Sequence, residues 1–496
     1  MVAVDNNRQR LARLVVLIVS AHGLLLTALL ALRPTSSKPF PLFQSSLTNY
    51  SIGSVQIFSH LPVDRQSVFV LSSYLLPSNT LRIIILRHCS NRNQFQVKFG
   101  TRSIVTAQVL QINTACPWSW TKCLWESFYL EVPTPPSFSP SDPVALGMVF
   151  RSPRNLTTFV SIASPTELFA PNSTTKPHLL VVCVATLHFY ADWIQLAQFL
   201  EVWLYQGATK FFLYIQSVLP EVQSVLAMYE GLVEVVNWPY VPKSESEDPN
   251  METHYAGQLT IMNDCNLRAW NEAEFVAHFD LDELLIPQHS PTLSTLLPSL
   301  LEARPNAAAF QFRSATVYSI SATDSKNVTI CPLELNFSAL VEIKVDKPLP
   351  FNRQSKLIII PERVHRTSVH LLRAAVPGFT ISYVDIDHAR LYHFVTRTPA
   401  PNSAALSAAQ QKIFENLTQK ISKTWPTRVE KKNATGCMQY EGKWLLKTMR
   451  KCIDGLAKVK GKYCLTLYKC KPHVLASVPD GWIYYGHSEQ TWTRIS

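Results

Sequence analysis

The sequence lacks any C-x-x-C pair among its ten cysteines, and it has few charged residues and few glycines. The absence of C-x-x-C argues against a zinc ribbon and against a thioredoxin-like redox motif. Charged residues make up 16% of the chain and hydrophobic residues 47%, so a buried core is expected. The 33 prolines against 14 glycines favour stiff loops. With 496 residues, and roughly 100–200 residues per domain, two or three domains are expected.

The N-terminus has the pattern of a membrane anchor. Arg8, Arg10 and Arg13 precede residues 14–32, which carry no formal charge. About 20 apolar residues span a bilayer, and flanking arginines favour the cytoplasmic side. We therefore expect a cytoplasmic tail (1–13), a transmembrane signal-anchor (14–32) and a lumenal remainder. The alternative is a cleaved signal peptide, whose apolar core is usually shorter, about 7–15 residues.

A lumenal location agrees with the number of Asn-x-Ser/Thr sequons, which are acceptor sites for N-glycosylation in secreted proteins. The candidate glycosylation sites are Asn49, Asn155, Asn172, Asn327, Asn336, Asn416 and Asn433. An oxidising lumen also makes disulfides the expected state of cysteines in loops. The predicted arrangement is two disulfides among Cys437, Cys452, Cys464 and Cys470, one between Cys116 and Cys123, and a free thiol at Cys183 in a buried strand.

The net charge of +11 is concentrated near the C-terminus. Between Lys420 and Lys471 there are fourteen basic and three acidic residues, an excess that equals the net charge of the whole chain. Basic segments often bind nucleic acid, but a lumenal protein does not meet it, so no nucleic-acid partner is expected. The alternatives that remain are a solvated basic face and a surface for anionic lipid or for a phosphorylated or acidic ligand.

The hydrophobic pattern changes along the chain. After a Ser/Pro-rich stem (33–50), strand-like segments separated by turn residues predict a β-rich, antiparallel lumenal domain at 51–165. From residue 178 onward, apolar runs alternate with helical periodicity, which predicts β-α-β-α-β and a parallel, helix-covered sheet. We therefore predict an α/β domain at 178–400 and a basic C-terminal region with cysteines and tryptophans at 401–496, packed on that domain.

Three carboxylates stand in the apolar stretch EFVAHFDLDELLIP. Asp280 and Asp282 follow a predicted strand, and ligands of open α/β sheets bind at the carboxyl ends of strands. Two carboxylates this close stay ionised at low cost only when a cation lies between them. Their oxygens suit Mg²⁺ or Mn²⁺, ions that commonly also bind substrate phosphates. With a lumenal location, this pattern favours an enzyme that uses a nucleotide sugar and a divalent ion.

Other interpretations of this motif are a capped turn, an EF-hand and a phosphatase. A lone Asp-x-Asp is common and often only caps a turn. An EF-hand is disfavoured because no glycine occupies the sixth loop position from Asp280 or Asp282. A phosphatase of the Asp-x-Asp-x-Thr type would have threonine where Leu284 stands.

Five segments resemble, in this order, the conserved blocks of glycosyltransferase family 92. They are VVCVATLHFYADWIQLAQFLEVWLYQGATKFFLYIQS, EVVNW, QLTIMNDCNLRA, EFVAHFDLDELL and KLIIIPERVHRTSVH, and they lie within about 178–395. The resemblance implies a type II Golgi membrane protein with a GT-A-like, Rossmann-type catalytic domain. It also implies inverting transfer of galactose from UDP-galactose, dependent on Mn²⁺ bound by Asp280 and Asp282. Thr186 stands where the family often has proline.

Further residues are candidates by role within that resemblance. GT-A enzymes commonly add a late histidine as a metal ligand, here His393, with His370 as the alternative. The candidate donor-binding residues are Thr186, Gln258, Asp264 and Lys356. Inverting transfer needs a carboxylate base at the acceptor hydroxyl, and the candidates are Glu334, Glu342, Glu362, Asp385 and Asp387. Glu283 would support the metal ligands or cap the next turn. The expected partners are a UDP-sugar and a glycan or glycoprotein acceptor; the alternative is a catalytically inactive glycan-binding relative.

Overall fold

The computed structural model describes residues 62–495, except 102, 114, 118–121, 150–156, 169–175, 320–327, 396–397, 460–462 and 487–490. The predicted tail, signal-anchor and stem lie outside the described residues, and so do the sequons at Asn49, Asn155, Asn172 and Asn327. Within the described part of the chain, no helix is both long and apolar enough to cross a membrane.

The first part of the described chain is β structure. Its strands are β1 (Val68–Leu76), β2 (Thr80–His88), β3 (Gln94–Phe99), β4 (Ser103–Thr106), β5 (Gln108–Gln111), β6 (Trp125–Pro133), β7 (Val144–Val149), β8 (Thr157–Ser161) and β9 (Thr166–Glu167). One sheet contains the order β1-β2-β6-β5 and another the order β4-β3-β7-β8, with antiparallel neighbours throughout. Ile83, Phe95 and Leu146 belong to the apolar core that the two sheets share.

The next part of the chain alternates strands and helices in the predicted order. Its elements are β10 (His178–Leu187), α1 (Trp193–Tyr205), β11 (Lys210–Ile215), β12 (Ser217–Val218), α2 (Pro220–Met228), β13 (Val233–Asn237), α3 (Gln258–Arg268) and β14 (Ala273–His278). Helix α1 ends as its sequence predicts, because Gly207 follows it with a positive φ of 98°. Strands β13, β11, β10 and β14 are parallel neighbours, which confirms the predicted parallel arrangement.

The remaining elements extend this sheet and build around it. They are β15 (Glu283–Pro287), α4 (Leu293–Ala303), β16 (Ala307–Phe312), β17 (Ser314–Ser319), β18 (Val328–Ile330), β19 (Ile343–Val345), β20 (Lys356–Ile359), β21 (Val364–Thr367), β22 (Leu372–Ala375), β23 (Thr380–Tyr383), β24 (Ala389–Val395), β25 (Ala404–Ala405), α5 (Ala408–Lys431), β26 (Met438–Tyr440), α6 (Gly442–Lys458), α7 (Lys471–Leu475), β27 (Ile483–Tyr484) and β28 (Thr493–Ile495). The main sheet has the order β13-β11-β10-β14-β20-β16-β23, and only β20 runs against its neighbours.

The C-terminal region contacts both earlier parts of the chain. Strand β28 pairs with β1, so the end of the chain adds a strand to a sheet that begins more than 400 residues earlier. Trp425 of α5 is fully buried in the same core cluster as Leu196 of α1. Residues Ile57–Ser496 accordingly form one compact unit. The domain boundaries proposed from the sequence stay predictions.

The five disulfides use all ten cysteines and differ from the predicted arrangement. They join Cys89 to Cys116, Cys123 to Cys464, Cys183 to Cys265, Cys331 to Cys437 and Cys452 to Cys470. The predictions of a Cys116–Cys123 pair and of a free Cys183 were wrong. The four late cysteines do not form a closed set, since only Cys452 and Cys470 pair with each other. Burial did not keep Cys183 unpaired, because α3 places the equally buried Cys265 against β10.

Gly442, the first residue of α6, allows this helix to pack closely on Asp192. A Cβ atom at position 442 would lie 2.4 Å from the Cα of Asp192, so backbone would have to move. We expect Gly442→Ala to lower the free energy of unfolding by about 1–3 kcal/mol. Gly455→Ala in the same helix is the control, because a Cβ there meets nothing within 4 Å. It should raise stability by up to about 1 kcal/mol. Equal unfolding midpoints for both variants would contradict the packing described.

Candidate active site

The Asp280–Glu283 segment forms a tight turn at the carboxyl end of β14. The Glu283 amide donates to the Asp280 carbonyl (3.0 Å), and the Asp280 amide donates to Glu283 Oε2 (3.1 Å). The chain then returns as β15, and the Phe394 amide of β24 donates to the Asp282 carbonyl (2.8 Å). Two hydrogen bonds between backbone groups and one from a backbone amide to a side chain therefore fix the position of the motif at the sheet edge.

The three carboxylates of the turn lie in different environments. Glu283 is buried, with 2% of its side chain exposed, whereas Asp280 and Asp282 have 41% and 26% exposed. The ammonium group of Lys356 lies 2.6 Å from Asp280 Oδ2 and 3.0 Å from Glu283 Oε2. Glu283 thus belongs to the interior and caps the turn, while the two aspartates line the surface of the edge.

Lys356 is the buried counter-ion of this turn. Burial would lower the pKa of its ammonium group, but the Asp280 and Glu283 carboxylates raise that pKa above its ordinary value. Burial raises the pKa of Glu283 to about 7, against the opposing effect of Lys356. The protonated lysine compensates the negative charge behind the two aspartates. Its side chain is 3% exposed, and its ammonium group is held by both carboxylates.

His393 lies beside Asp282. It pairs with Glu283 across β24 and β15, and its Nε2 is 3.3 Å from Asp282 Oδ2. Burial would lower the pKa of the imidazole, but Asp282 raises it to about 9. Burial also opposes ionisation of Asp282, yet His393 holds the pKa of that carboxyl below its ordinary value. His370, the alternative ligand, instead faces the Ser355 carbonyl through Nδ1 at 3.0 Å.

The chemistry of these side chains fits a divalent ion, since carboxylate oxygen and imidazole nitrogen are both ligands for Mn²⁺. The imidazole of His393 and the carboxylate of Asp282 are already in contact. Asp280 lies two residues before Asp282, and only its Oδ2 atom is recorded in the ion pair with Lys356. Within the described residues, no three or more His, Cys, Asp or Glu side chains are grouped closely enough to hold an ion. Asp280, Asp282 and His393 therefore supply atoms suited to coordinate a metal ion, and two of these atoms, Asp282 Oδ2 and His393 Nε2, are in contact.

A shallow pocket adjoins the turn. It is lined by Cys183, Ala185, Gln258, Ile261, Met262, His278, Phe279, Asp280 and Lys356. Gln258, predicted to bind the donor, begins α3 at this pocket. The preceding residues Tyr255 and Ala256 have positive φ values of 39° and 55°, which is strained backbone for residues other than glycine. The hydroxyl of Thr186 donates to the Ala256 carbonyl (3.3 Å), so Thr186 also lies at this end of β10.

Asp264 does not lie at this pocket, although the sequence suggested a donor-binding role. Its carboxylate is 1% exposed and accepts hydrogen bonds from Ser72, Tyr74, Tyr214 and Arg268. Burial opposes its ionisation, but Arg268 and the hydroxyl donors hold its pKa below the ordinary value. Asp264 therefore connects β1 to the α/β sheet as a buried, fully paired carboxylate.

The five candidate bases are spread over the fold. Asp385 and Asp387 follow β23, which runs with β14, so they lie at the same edge as Asp280 but three strands away, roughly 14 Å. Glu362 follows the antiparallel β20, so it lies at the opposite edge, where it pairs with Lys176.

The other two candidate bases, Glu334 and Glu342, are exposed. Glu334 lies in a short turn that packs on α5, and Glu342 directly precedes β19. Among the described residues, neither glutamate has a hydrogen bond or ion pair to the Asp280–Glu283 turn.

One residue at the site was not predicted as a site residue. Nη2 of Arg450, on α6, lies 4.0 Å from Asp282 Oδ2. The sequence signal that could have pointed to it is the basic segment from Lys420 to Lys471, which contains Arg450. The basic segment indicates a charged region but does not single out Arg450. The sequence pattern cannot show which face of the helix contacts the sheet edge.

Comparison with known proteins gives one family. The family model described as glycosyltransferase family 92 matches residues 178–438, slightly more than half of the chain. A glycosyltransferase family 92 protein of Caenorhabditis elegans is 25% identical over 223 residues, which are 44% of this chain and 41% of that protein. A second family 92 protein of the same organism is 26% identical over 201 residues, 39% of this chain and 38% of that protein. The chain thus spans less than half the length of these relatives.

Among solved structures, S. aureus TarS 1-349 in complex with UDP-GlcNAc is similar at 10% sequence identity with a TM-score of 0.24. The alignment covers 60% of this chain and 88% of the TarS chain. A similarity this low adds nothing to the assignment of a site.

Proposed function

Because the chain belongs to glycosyltransferase family 92, we propose that it transfers a sugar from a UDP-sugar donor to a glycan or glycoprotein acceptor. The observation that carries this proposal is the pair Asp280 and Asp282, fixed by backbone hydrogen bonds at the carboxyl edge of the sheet with both side chains partly exposed. This edge is the ligand-binding edge of open α/β sheets. The GT-A-like architecture inferred from the sequence is part of the proposal.

The proposed cofactor is Mn²⁺ or another divalent cation. Asp280, Asp282 and His393 are the residues that would hold it. When bound, such an ion supplies positive charge that stabilises a diphosphate leaving group. Metal binding needs a neutral imidazole, so it would release the proton that Asp282 stabilises on His393.

The other residues of the turn act as support. Lys356 bridges the buried Glu283 and one carboxylate oxygen of Asp280, and in this way positions Asp280. Gln258, which lines the adjoining pocket, and Thr186, at the end of β10, are proposed to contact the donor. Asp264 is excluded from direct contact in this arrangement by its burial and its four partners.

The finer features of the reaction are proposals drawn from the resemblance in the sequence. They are galactose as the transferred sugar, inversion at its anomeric carbon, and anchoring in the Golgi membrane with the sheet in the lumen. Asn336, Asn416 and Asn433 are exposed, as glycosylation of a lumenal protein requires. Of the candidate bases, Asp385 and Asp387 lie at the same sheet edge as the proposed metal ligands. For either to act, the acceptor hydroxyl would have to approach from their side.

A donor screen tests the proposal. The full-length chain is incubated with a panel of UDP-sugars and glycan acceptors, with Mn²⁺ or with a chelator, and the release of UDP is measured. We expect Mn²⁺-dependent release, highest with UDP-galactose. Binding of UDP without turnover on any acceptor would instead favour an inactive glycan-binding relative. Neither binding nor turnover with any UDP-sugar would contradict the proposal.

A further inference from the structure

Helix α6 brings a cation to the candidate site from outside the region that the family model matches. The match ends at residue 438, whereas α6 spans Gly442–Lys458. Nη2 of Arg450 lies 4.0 Å from Oδ2 of Asp282, which is the limit of ion-pair distance. The site at the sheet edge is therefore formed in part by a helix that lies beyond the residues matched by the family model.

The position of α6 is fixed at several points. Its first residue, Gly442, packs directly against Asp192, where a Cβ atom would overlap the Asp192 backbone. Leu445 and Met449 are buried in an apolar cluster. Near its middle, the Cys452–Cys470 disulfide joins the helix to the following segment. Arg450 is thus carried by a helix that is anchored on both sides of it.

The cationic side chains around the two aspartates differ in how much of each is exposed to solvent. Among those within ion-pair distance of the Asp280–Glu283 turn in the described residues, the exposed side-chain fractions are 3% for Lys356, 17% for His393 and 47% for Arg450. Lys356 is already held by two carboxylates at 2.6 and 3.0 Å. Arg450 therefore has the most exposed side chain of this set, at the edge where the nucleotide-sugar donor would bind.

We infer that Arg450 binds the diphosphate of the nucleotide-sugar donor, so that α6 completes the donor site. This inference rests on the proposed function. A guanidinium group presents several N–H donors in a plane and binds phosphate oxygens in pairs. Its positive charge would offset the charge that develops on the diphosphate when the sugar leaves. The inference also gives a role to one part of the basic 420–471 segment.

The strained turn before α3 is held by the same C-terminal region. The Tyr255 amide donates to the Leu465 carbonyl (3.0 Å), and the Thr466 hydroxyl donates to the Asn250 carbonyl (3.1 Å). Cys464, next to Leu465, is bonded to Cys123. The residues after 438 therefore shape two sides of the site, the turn at Tyr255 and the helix at Arg450.

Calorimetric titration of the full-length chain with UDP in the presence of Mn²⁺ tests the role of Arg450. Loss of a charge-assisted hydrogen bond is typically worth enough to weaken UDP binding about 10- to 100-fold in Arg450→Gln. Arg450→Lys keeps the charge but not the paired geometry, and it should recover part of the affinity. Lys458→Gln removes the same charge from an exposed position two turns further along α6 and should leave binding unchanged.

Uridine, which lacks phosphate, separates this role from a structural one. Arg450→Gln should bind uridine as the wild type does, and its melting temperature should match that of Lys458→Gln. Equal losses for uridine and UDP, or a loss no greater than that of Lys458→Gln, would overturn the inference while leaving the proposed function intact. A wild-type chain that binds no UDP with Mn²⁺ would contradict the proposed function itself, and the inference with it.

Discussion

Replacing Asp282 with Asn is expected to lower sugar transfer by about 10³-fold or more. The amide removes one negative charge and would weaken the coordination of the proposed cation, so the diphosphate leaving group would lose stabilisation of several kcal/mol. Each ~1.4 kcal/mol changes the rate tenfold. Asp280→Asn should have a similar effect. The measurement is turnover with Mn²⁺ and the best UDP-sugar of the donor screen.

The loss should not come from unfolding. Asparagine has the shape of aspartate, and its amide oxygen can still accept a hydrogen bond from His393, so the turn should stay folded. Thermal melting of Asp282→Asn should therefore resemble that of the wild type and of Asp480→Asn, which removes a carboxylate from an exposed surface position. Near-normal transfer by Asp282→Asn would contradict the metal assignment.

Replacing Lys356 with Met is expected to cost the fold about 3–5 kcal/mol. The substitution removes the nearest cation from the buried Glu283 and leaves His393 at 4.0 Å, and breaking one partner of a buried ion pair is strongly destabilising. Replacing both partners, as in Lys356→Met with Glu283→Gln, should recover much of the stability because no unpaired charge remains. The measurement is the free energy of unfolding in denaturant for the wild type, both single variants and the double variant.

This cycle distinguishes two roles for Lys356. If the lysine mainly bound the donor, as the sequence suggested, Lys356→Met would weaken UDP binding with little effect on stability. The 3% exposure of its side chain favours the structural role. The structural role would be contradicted if Lys356→Met were as stable as the wild type and if the changes in unfolding free energy of the two single variants added up in the double variant.

The parts of the fold that the sequence predicted well are those whose signal is local. The apolar run of β10, the periodicity of α1 and the glycine after it depend on neighbouring residues only, and all three agree with the structure. The position of Asp280 and Asp282 just after a buried strand was predicted for the same reason, because the end of such a strand can be read from the pattern of apolar residues.

The features that were missed depend on pairs distant in sequence. Cys123 and Cys464 are 341 residues apart, and no local pattern indicates that they meet. The pairing of β28 with β1 is of the same kind. Asp264 was assigned to the pocket because it shares α3 with Gln258. Its face of the helix meets Ser72 and Tyr74 of β1 instead, a contact that exists only after the two sheets pack.

The central claim is that the edge formed by Asp280, Asp282 and His393 binds a divalent cation together with the donor diphosphate. Diffraction from crystals of the protein grown with Mn²⁺ and UDP, recorded where manganese scatters anomalously, tests it most directly. The account predicts an anomalous peak in contact with these three side chains and with diphosphate oxygens, and it predicts Arg450 turned toward the diphosphate. Manganese and UDP bound elsewhere, with Asp280 and Asp282 free of both, would contradict it.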